Sequence, residues 1–402
     1  MTRSAAGSSR WRRLAPYWYV ILIFWLVSLS LYAYHLATGI TPGRVALQIS
    51  FLNFAIYWYG IIITGGIALG AYVTAKLALA RAESLLAAHV PPAIRRRPVA
   101  DLPLPDEIQA ILQRQKIVTL GQLLLQWGFG PVYTGLNPAG QTELRQVLAS
   151  QPGLKPAWLD DSPWRIWDPN HVWNGVIWCL ILAVIGARLY HILTPSPSMA
   201  EVGINSPLDY FNHPLELLNF RRGGLGIYGG LAGGALGLWL YTRRSRIPML
   251  AWADLAVVGL ALGQAIGRWG NFLNQELYGR PTNVPWAVYI DPAYRLPDYA
   301  DFSRFHPAFL YESLWNFMSF LVLHALATRY AARLKTGDLM ALYIILYAIG
   351  RTLLELVRLD SRLVSIGGVS LGLPVATLVS LVLAAIMAVW LIARHRRPTP
   401  AG

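Results

Sequence analysis

The sequence predicts an all-α polytopic membrane protein, on two observations. Of the 402 residues, 55% are hydrophobic and only 13% are charged, whereas a soluble domain carries about 25% charged residues. The apolar residues also fall into eight stretches, each long enough to cross a hydrocarbon core that takes roughly 17–25 helical residues. The predicted spans are Tyr17–Ala37, Ala55–Ala80, Val172–Leu193, Leu225–Tyr241, Leu250–Phe272, Pro307–Ala327, Leu339–Val357 and Leu371–Ala393.

Basic residues lie at the ends of these spans. The net charge of +14 would suggest nucleic-acid binding in a soluble protein. Here, however, every basic cluster falls on one side of the membrane when the eight spans alternate in direction. This is the positive-inside pattern, so both termini are expected in the cytoplasm, with lipid and not nucleic acid as the partner. The clusters are Arg10–Arg13, Arg95–Arg97, Arg243–Arg246, Arg329–Lys335 and Arg394–Arg397.

The single cysteine, Cys179, lies inside an apolar span. One thiol cannot form an intrachain disulfide or a thiolate metal site, and a buried lone cysteine most often acts as a small packing residue. The first span follows basic residues, as the apolar region of a signal peptide does. Its apolar run is longer than the roughly 7–15 residues of a cleaved signal, so we interpret it as a retained anchor.

Changes in composition divide the chain into five parts. Residues 82–169 depart most from a lipid-compatible composition and are predicted to form a small, mostly helical cytoplasmic insert of unknown role, with one helical run at Asp106–Leu124. The parts are 1–54, an N-terminal cytoplasmic segment with an additional anchor and an outer loop; 55–81, the first core span; 82–169, the insert; 170–394, six further core spans with an outer-face site and a cap; and 395–402, a cytoplasmic tail.

Three loops are expected on the outer side, at Thr38–Asn53, Thr194–Gly224 and Asn274–His306. The second contains the amphipathic stretch LDYFNHPLELLNFRR, which could lie on the membrane surface. The third contains four prolines around a β-like VPWAVYI stretch. It predicts a small irregular cap over the outer end of the helices.

The most informative segment is GRWGNFLNQELYGR at Gly267–Arg280. It places Arg268, Asn271, Asn274 and Glu276 at the end of an otherwise apolar span. Polar groups in such a position are expensive to bury and usually mark a functional site.

A second polar pattern lies on the seventh span. Tyr347, Arg351, Glu355 and Arg358 are spaced four, four and three residues apart, which predicts one stripe on one helix face. Both this span and the fifth span, which carries Arg268, are predicted to run outward, so their arginines should converge in the outer half of the membrane. Guanidinium groups match phosphate oxygens bidentately and stay charged in a dry site. The alternative is a buried arginine–glutamate network that only ties helices together.

Three further features each have a structural and a functional interpretation. The glycine-rich segment Gly223–Gly234 allows either close helix packing or room for a bound chain. Tyr59 begins its span, where aromatic residues are usually interfacial anchors. His306 precedes a helix that carries Glu312, and it could cap that helix or take part in chemistry.

These residues together resemble the bacterial prolipoprotein diacylglyceryl transferase family. GRWGNFLNQELYG follows the family signature G-R-x-G-N-F-x-N-x-E-x-x-G, and other family features occur in the expected order. They are WYG at Trp58–Gly60, GAR at Gly186–Arg188, the glycine-rich segment before Gly230, HPAFLYE at His306–Glu312, and Y-x-x-x-R-x-x-x-E-x-x-R from Tyr347 to Arg358. The resemblance covers most of the chain beyond Phe54, apart from the insert.

The resemblance implies a seven-helix transferase core, here with an extra N-terminal span, in a bacterial inner membrane with the site toward the outer face. Such enzymes move the diacylglyceryl group from phosphatidylglycerol to the lipobox cysteine of a preprolipoprotein, forming a thioether and releasing glycerol phosphate. No metal or other cofactor is implied. The candidate catalytic residues are Arg268, Arg351, Glu276, Tyr59 and Tyr228. The candidate substrate-binding residues are Asn271, Asn274, Gly279, Tyr347, Glu355, Arg358, Arg188 and His306.

The chain departs from the family at Tyr228. The family commonly has a histidine in the glycine-rich segment, often proposed as the base, and a tyrosine with a pKa of about 10 is a poor base at neutral pH. Either another group, such as Glu276, deprotonates the thiol, or the arginines make the thiolate accessible without a dedicated base.

A different class of function, an anion or lipid transporter using the same arginines, would favour inverted repeats and broken helices. Neither is evident in the sequence.

Overall fold

The computed structural model describes residues 15–49, 51, 54–195, 197–217, 226–359, 363–366 and 369–396. Within them the chain is mainly helical. The α-helices are α1 (Pro16–Thr38), α2 (Trp58–His89), α3 (Pro92–Arg95), α4 (Asp106–Arg114), α5 (Leu120–Phe129), α6 (Pro138–Ser150), α7 (Ala157–Asp160), α8 (Asn170–Leu193), α9 (Ile227–Arg244), α10 (Met249–Asn274), α11 (Ala308–Arg329), α12 (Asp338–Glu355) and α13 (Val375–Arg396).

Strands are short and form three antiparallel pairs. They are β1 (Val45–Ile49) with β2 (Phe54–Tyr57), β3 (Val288–Tyr289) with β4 (Arg304–Phe305), and β5 (Leu363–Ile366) with β6 (Val369–Pro374). Short 3₁₀ turns lie at Val99–Asp101, Pro131–Thr134, Pro163–Trp167, Pro197–Val202, Pro207–Phe211, Pro214–Leu217, Pro292–Tyr294, Pro297–Tyr299 and Ala331–Arg333.

The prediction of an all-α polytopic membrane protein is confirmed. Each predicted span falls on one of the long helices α1, α2 and α8–α13. Among the described residues, five helices are long and apolar enough to cross a membrane: Pro16–Thr38, Trp58–His89, Asn170–Leu193, Met249–Asn274 and Thr377–Arg396. Helices α9, α11 and α12 are less apolar because they carry glycines or charged side chains, so their crossing stays a prediction.

The chain forms two compact units. The first unit takes in Met1–Val73, Val258–Leu326 and Ala341–Gly402, and the second takes in Thr74–Val257 and Ala327–Met340.

In the first unit, α1 packs through aromatic side chains on the helices that follow it. Tyr17 Oη lies 2.8 Å from His324 Nε2, and the Trp25 and Phe317 ring centroids are 4.8 Å apart. Near the other end of α1, Tyr32 Oη donates to the Trp286 carbonyl (2.7 Å). Because Trp286 precedes the β3–β4 pair, the predicted irregular cap is attached to α1.

In the second unit, α8 and α9 pack unusually closely. A Cβ added at Gly229 would lie 2.1 Å from the Gly186 carbonyl oxygen, and one at Gly233 would lie 2.0 Å from the Leu182 carbonyl oxygen. Only glycine permits this approach, so the packing alternative accounts for at least part of the glycine-rich segment.

The predicted insert has its own hydrophobic core in the second unit. Trp164 is fully buried and its Nε1 donates to the Leu124 carbonyl (3.1 Å). Helix α5 begins at a capping box in which Thr119 and Gln122 satisfy each other's backbone amides. Two sequence expectations are wrong in detail. Helix α2 continues to His89, inside the range 82–169, and the run Asp106–Leu124 is two helices because Lys116 takes a left-handed conformation (φ 59°).

The predicted amphipathic stretch lies between α8 and α9 and is only partly described. Its described part consists of 3₁₀ turns at Pro207–Phe211 and Pro214–Leu217, with Leu208, Phe211 and Leu215 strongly exposed. Exposed apolar side chains are what a membrane-surface segment presents. The remainder of the stretch lies outside the described residues.

Candidate active site

The signature segment forms a sharp turn at the end of α10. The helix ends at Asn274, and both Gln275 (φ 50°) and Leu277 (φ 54°) take left-handed conformations, which cost energy in residues other than glycine. The Gln275 side chain offsets this cost through two hydrogen bonds with Asp291, at 2.6 Å to its carboxylate and 2.7 Å from its backbone amide. The turn directs the Glu276 side chain back toward α10.

Two asparagines hold the Glu276 carboxylate. Asn271 Nδ2 donates to Glu276 Oε1 at 2.9 Å, and Asn274 Nδ2 donates to the same oxygen at 3.2 Å. Arg268 Nη1 in turn donates to Asn271 Oδ1 at 3.4 Å. Glu276 Oε2 makes no hydrogen bond to the described residues, so it is the oxygen left for a substrate or a proton.

Glu312 joins two arginines. It lies in the second turn of α11 and is buried. Its Oε2 pairs with Arg268 Nε, and its Oε1 lies 3.5 Å from Arg358 Nη1. The Arg268 side chain is 31% exposed, against 16% for Arg358. Part of the Arg268 guanidinium is therefore accessible to a ligand, while the ion pair with Glu312 fixes the orientation of the side chain.

Arg351 forms its own ion pair on α12. Its Nη1 lies 2.6 Å from Glu355 Oε2, with side chains 15% and 10% exposed. The prediction that Arg358 continues this helix stripe is wrong, because α12 ends at Glu355. Beyond the helix, Arg358 pairs with Gly279 as an isolated β-bridge, and this pairing brings its side chain to Glu312.

Gly279 and His306 belong to the same backbone junction. The Gly279 amide donates to the His306 carbonyl (2.9 Å), and a Cβ at Gly279 would lie 2.6 Å from the Val357 carbonyl oxygen. The His306 ring lies at 3.1 Å from the Tyr311 hydroxyl, and burial lowers the pKa of the imidazole below its usual value. Through these contacts His306 positions the chain before α11.

Tyr59 and Tyr347 have packing contacts in the first unit. The Tyr59 ring covers Gly270, where a Cβ would lie 2.8 Å from ring carbon Cδ2. Tyr59 is thus held one turn of α10 from Asn274. Tyr347 is 38% exposed, and its ring centroid is 6.3 Å from that of Tyr343.

Tyr228 and Arg188 belong to the second unit. Tyr228 lies in the first turn of α9, is 44% exposed, and has its ring centroid 5.8 Å from that of Tyr190. Arg188 on α8 is buried, and its guanidinium donates to the backbone carbonyls of Leu217 (2.9 Å) and Glu216. In these contacts Arg188 holds the segment between α8 and α9.

Glu312 is the main site residue absent from the predicted set. Its sequence signal was a glutamate within an otherwise apolar helix, six residues after His306. That position indicates a buried carboxylate, but its two arginine partners come from distant parts of the chain. Among the described residues, no group of three or more His, Cys, Asp or Glu side chains could hold a metal ion.

The fold and the site together define a polytopic membrane protein with an arginine-rich polar cluster at the ends of three helices. Residues 157–393 match the model of the prolipoprotein diacylglyceryl transferase family. This match contains every predicted site residue except Tyr59. It also begins within the predicted insert and leaves the first two long helices outside it. The chain belongs to the prolipoprotein diacylglyceryl transferase family.

Relatives named phosphatidylglycerol–prolipoprotein diacylglyceryl transferase occur in several bacteria. The Chloroflexus aggregans protein is 39% identical over 249 residues, which cover 58% of this chain and 78% of the relative. The Trichormus variabilis protein is 36% identical over 269 residues, covering 64% and 86%. The Frankia alni protein is 44% identical over 195 residues, covering 48% of each chain.

Proposed function

We propose that this chain transfers the diacylglyceryl group of phosphatidylglycerol to the cysteine thiol of a prolipoprotein. The sulfur attacks the glyceryl carbon that carries the phosphate ester, a C–S bond forms, and the C–O bond breaks. The electron pair of the broken bond stays on the phosphate oxygen, so glycerol phosphate leaves. The thiol proton passes to a base or to water. Membership in the family supports this activity, since the relatives carry it in their names.

The observation that carries the site assignment is the shared carboxylate of Glu312. Arg268 and Arg358 come from different elements and both pair with it. Charge develops on the phosphate as the C–O bond breaks, and preoriented donors in a dry site stabilise such charge most effectively. Arg268 is the more exposed of the two, so we assign it the phosphate contact.

We assign Arg351 a second phosphate contact and Glu355 the task of orienting it. Their 2.6 Å ion pair is mostly buried, and burial strengthens the attraction between the two charges. Asn271 and Asn274 orient Glu276, whose Oε2 is available to the thiol. Glu276 is accordingly our candidate for the proton acceptor, and Tyr228 a residue that shapes the lipid head-group region.

The protein is a membrane protein, and we propose the bacterial cytoplasmic membrane as its location. Both termini would face the cytoplasm, with the arginine cluster toward the outer side, because the basic clusters follow alternate spans. A prolipoprotein signal segment would then present its cysteine at the membrane surface where the cluster opens.

A transfer assay tests this function. The purified protein is placed in phosphatidylglycerol vesicles with a lipobox peptide, and the peptide is analysed by mass spectrometry. A mass gain of one diacylglyceryl group on the cysteine is expected, together with release of glycerol phosphate. A cysteine-to-serine peptide should gain nothing. Lipid binding without any mass gain would contradict the proposal and favour an anion-binding or transport role.

A further inference from the structure

We propose that Arg44 is a positioning residue for the transfer site, acting through the turn that carries Glu276. This inference rests on the proposed function and deepens it. Arg44 lies in the first outer loop, within the first unit and outside the family-model match. No sequence pattern singled it out.

Arg44 makes three contacts that join separate elements. Its backbone carbonyl accepts a hydrogen bond from the Trp58 amide (3.0 Å) at the start of α2. Its Nη2 donates to the Asn274 carbonyl. Its guanidinium carbon lies 3.6 Å from the centre of the Tyr294 ring in the cap, well within the range of a cation–π interaction.

The contact with Asn274 is the one that reaches the site. Asn274 is the last residue of α10, and carbonyls in the last turn of a helix lack a partner within that helix. Arg44 satisfies this carbonyl, while the side chain of the same residue donates to Glu276 Oε1. When the Asn274 backbone is fixed, its side-chain amide keeps one direction, and the Glu276 carboxylate that accepts from this amide is held in place.

The backbone next to Asn274 is strained, so the hydrogen bond from Arg44 helps to keep the turn in its observed conformation. Gln275 directly follows Asn274 and is left-handed. Without Arg44, relaxation of this residue would let the turn move, and Glu276 would lose the geometry that two asparagines impose on it.

The charge of Arg44 also differs from that of the other arginines in the cluster. Arg268, Arg351 and Arg358 each pair with a carboxylate. Among the described residues, Arg44 has a carbonyl and an aromatic face as partners and no ion pair. Its positive charge is thus not neutralised beside the turn, where an anionic lipid head group would approach.

The test compares Arg44→Ala, Arg44→Lys and Tyr294→Ala with the matched control Tyr294→Phe, which keeps the aromatic face. Transfer to a lipobox peptide and thermal unfolding are measured on each full-length protein. We expect Arg44→Ala to lower kcat about 10–100-fold, as expected when a reacting group is misplaced by an ångström or less. KM for the peptide should change little. Arg44→Lys should recover part of the rate, and Tyr294→Phe should match wild type.

A double-mutant cycle separates positioning from simple structural support. Asn274→Ala removes the amide through which Arg44 acts, so adding Arg44→Ala to it should cost less than about threefold. A full, independent loss in the double variant would overturn the inference, as would wild-type kcat in Arg44→Ala. A fall in kcat that is accompanied by a much lower unfolding temperature in Arg44→Ala would also overturn it, because destabilisation alone would then explain the lost rate. If Arg44→Ala fails to fold, Tyr294→Ala decides the question by the same criteria. Wild-type protein without transfer would instead refute the proposed function.

Discussion

The arginines of the site are distinguished by their partners rather than by their sequence positions. Arg268 and Arg358 share one buried carboxylate, whereas Arg351 has its own. A guanidinium held on one edge by a carboxylate can offer its other edge to a phosphate without losing side-chain freedom at that moment. The site is thus organised before the substrate arrives.

Arg268→Ala should lower transfer by about 10²–10³-fold, comparable to the loss of one oxyanion donor. Arg268→Lys should recover little, because an ammonium cannot pair with Glu312 and a phosphate in the same planar geometry. The matched control is Arg145→Ala, which breaks an exposed ion pair with Asp160 and should leave the rate unchanged. A near-normal rate for Arg268→Ala in the vesicle assay would refute the phosphate assignment.

Glu312→Gln should impair both folding and transfer. Two arginines would lose their common carboxylate, at a cost of about 2–4 kcal/mol after allowing for their partial exposure. Unfolding temperature in detergent and transfer rate are the measurements. Glu143→Gln, on the exposed face of α6, serves as the control and should change neither. Unaltered stability of Glu312→Gln would mean that the two ion pairs contribute nothing.

Tyr228→Phe should keep a substantial fraction of activity, since it removes only a hydroxyl from a half-exposed ring. Tyr228→Ala should lose more, because the ring contact with Tyr190 would disappear. Rates at several pH values, with Glu276→Gln alongside, test this. A fall of about three orders of magnitude for Tyr228→Phe, with phosphatidylglycerol still bound, would make the hydroxyl catalytic.

Among the secondary-structure elements, helix approach depends on a few glycines. Helices α8 and α9 contact each other with backbone atoms at Gly186, Gly229 and Gly233. Helices α2 and α10 do so at Gly70 and Gly259, where a Cβ at Gly70 would lie 2.4 Å from the Gly259 carbonyl oxygen. Lipid provides no hydrophobic drive for helices to associate, so such close packing contributes much of their contact energy.

Gly229→Ala should destabilise the protein by roughly 1–3 kcal/mol, because its methyl group would meet the Gly186 backbone and force the helices apart. Gly65→Ala on α2 is the control, since a Cβ there has nothing within 4 Å. It should shift stability by less than about 1 kcal/mol. Thermal unfolding of both variants in the same detergent gives the comparison. Equal unfolding temperatures would show that the α8–α9 contact can relax without cost.

At the scale of the whole molecule, the arginine cluster and the insert belong to different compact units. Arg268, Glu312 and Arg358 lie in the first unit, whereas the insert and its core around Trp164 lie in the second. The insert completes its own core with its own residues, including Leu112, Leu144 and Leu148. None of these core residues is a predicted site residue.

Replacing Pro91–Pro163 with a flexible linker should preserve turnover within about threefold, because the insert contains none of the predicted site residues and changes that share no partners are largely additive. The replacement retains Ile166, whose carbonyl accepts from Trp252 Nε1 (3.0 Å). Turnover in detergent and helical content by circular dichroism are measured together. Lost turnover in a protein that keeps its helical content would show that the insert takes part in or controls the reaction.

Tertiary contacts decided the parts of the site that have no local pattern. The arginine stripe predicted for one helix ends three residues early, because the chain after Glu355 pairs with Gly279. The partners of Glu312 and Arg44 lie far along the chain from them. No periodicity encodes such contacts, since they depend on how separate segments meet.

The sequence by itself determined the membrane class, the positions of the long helices and the family, together with the segment that carries Glu276. The length of an apolar stretch and the charges beside it are local properties that decide how a segment inserts into a membrane. The signature GRWGNFLNQELYG is also local, because it is contiguous. Only the tertiary structure decided which carboxylate each arginine meets and how the turn at Gln275 aims Glu276. Those outcomes depend on side chains brought within a few ångströms by elements distant in sequence, where the strength of an ion pair is set by distance and burial.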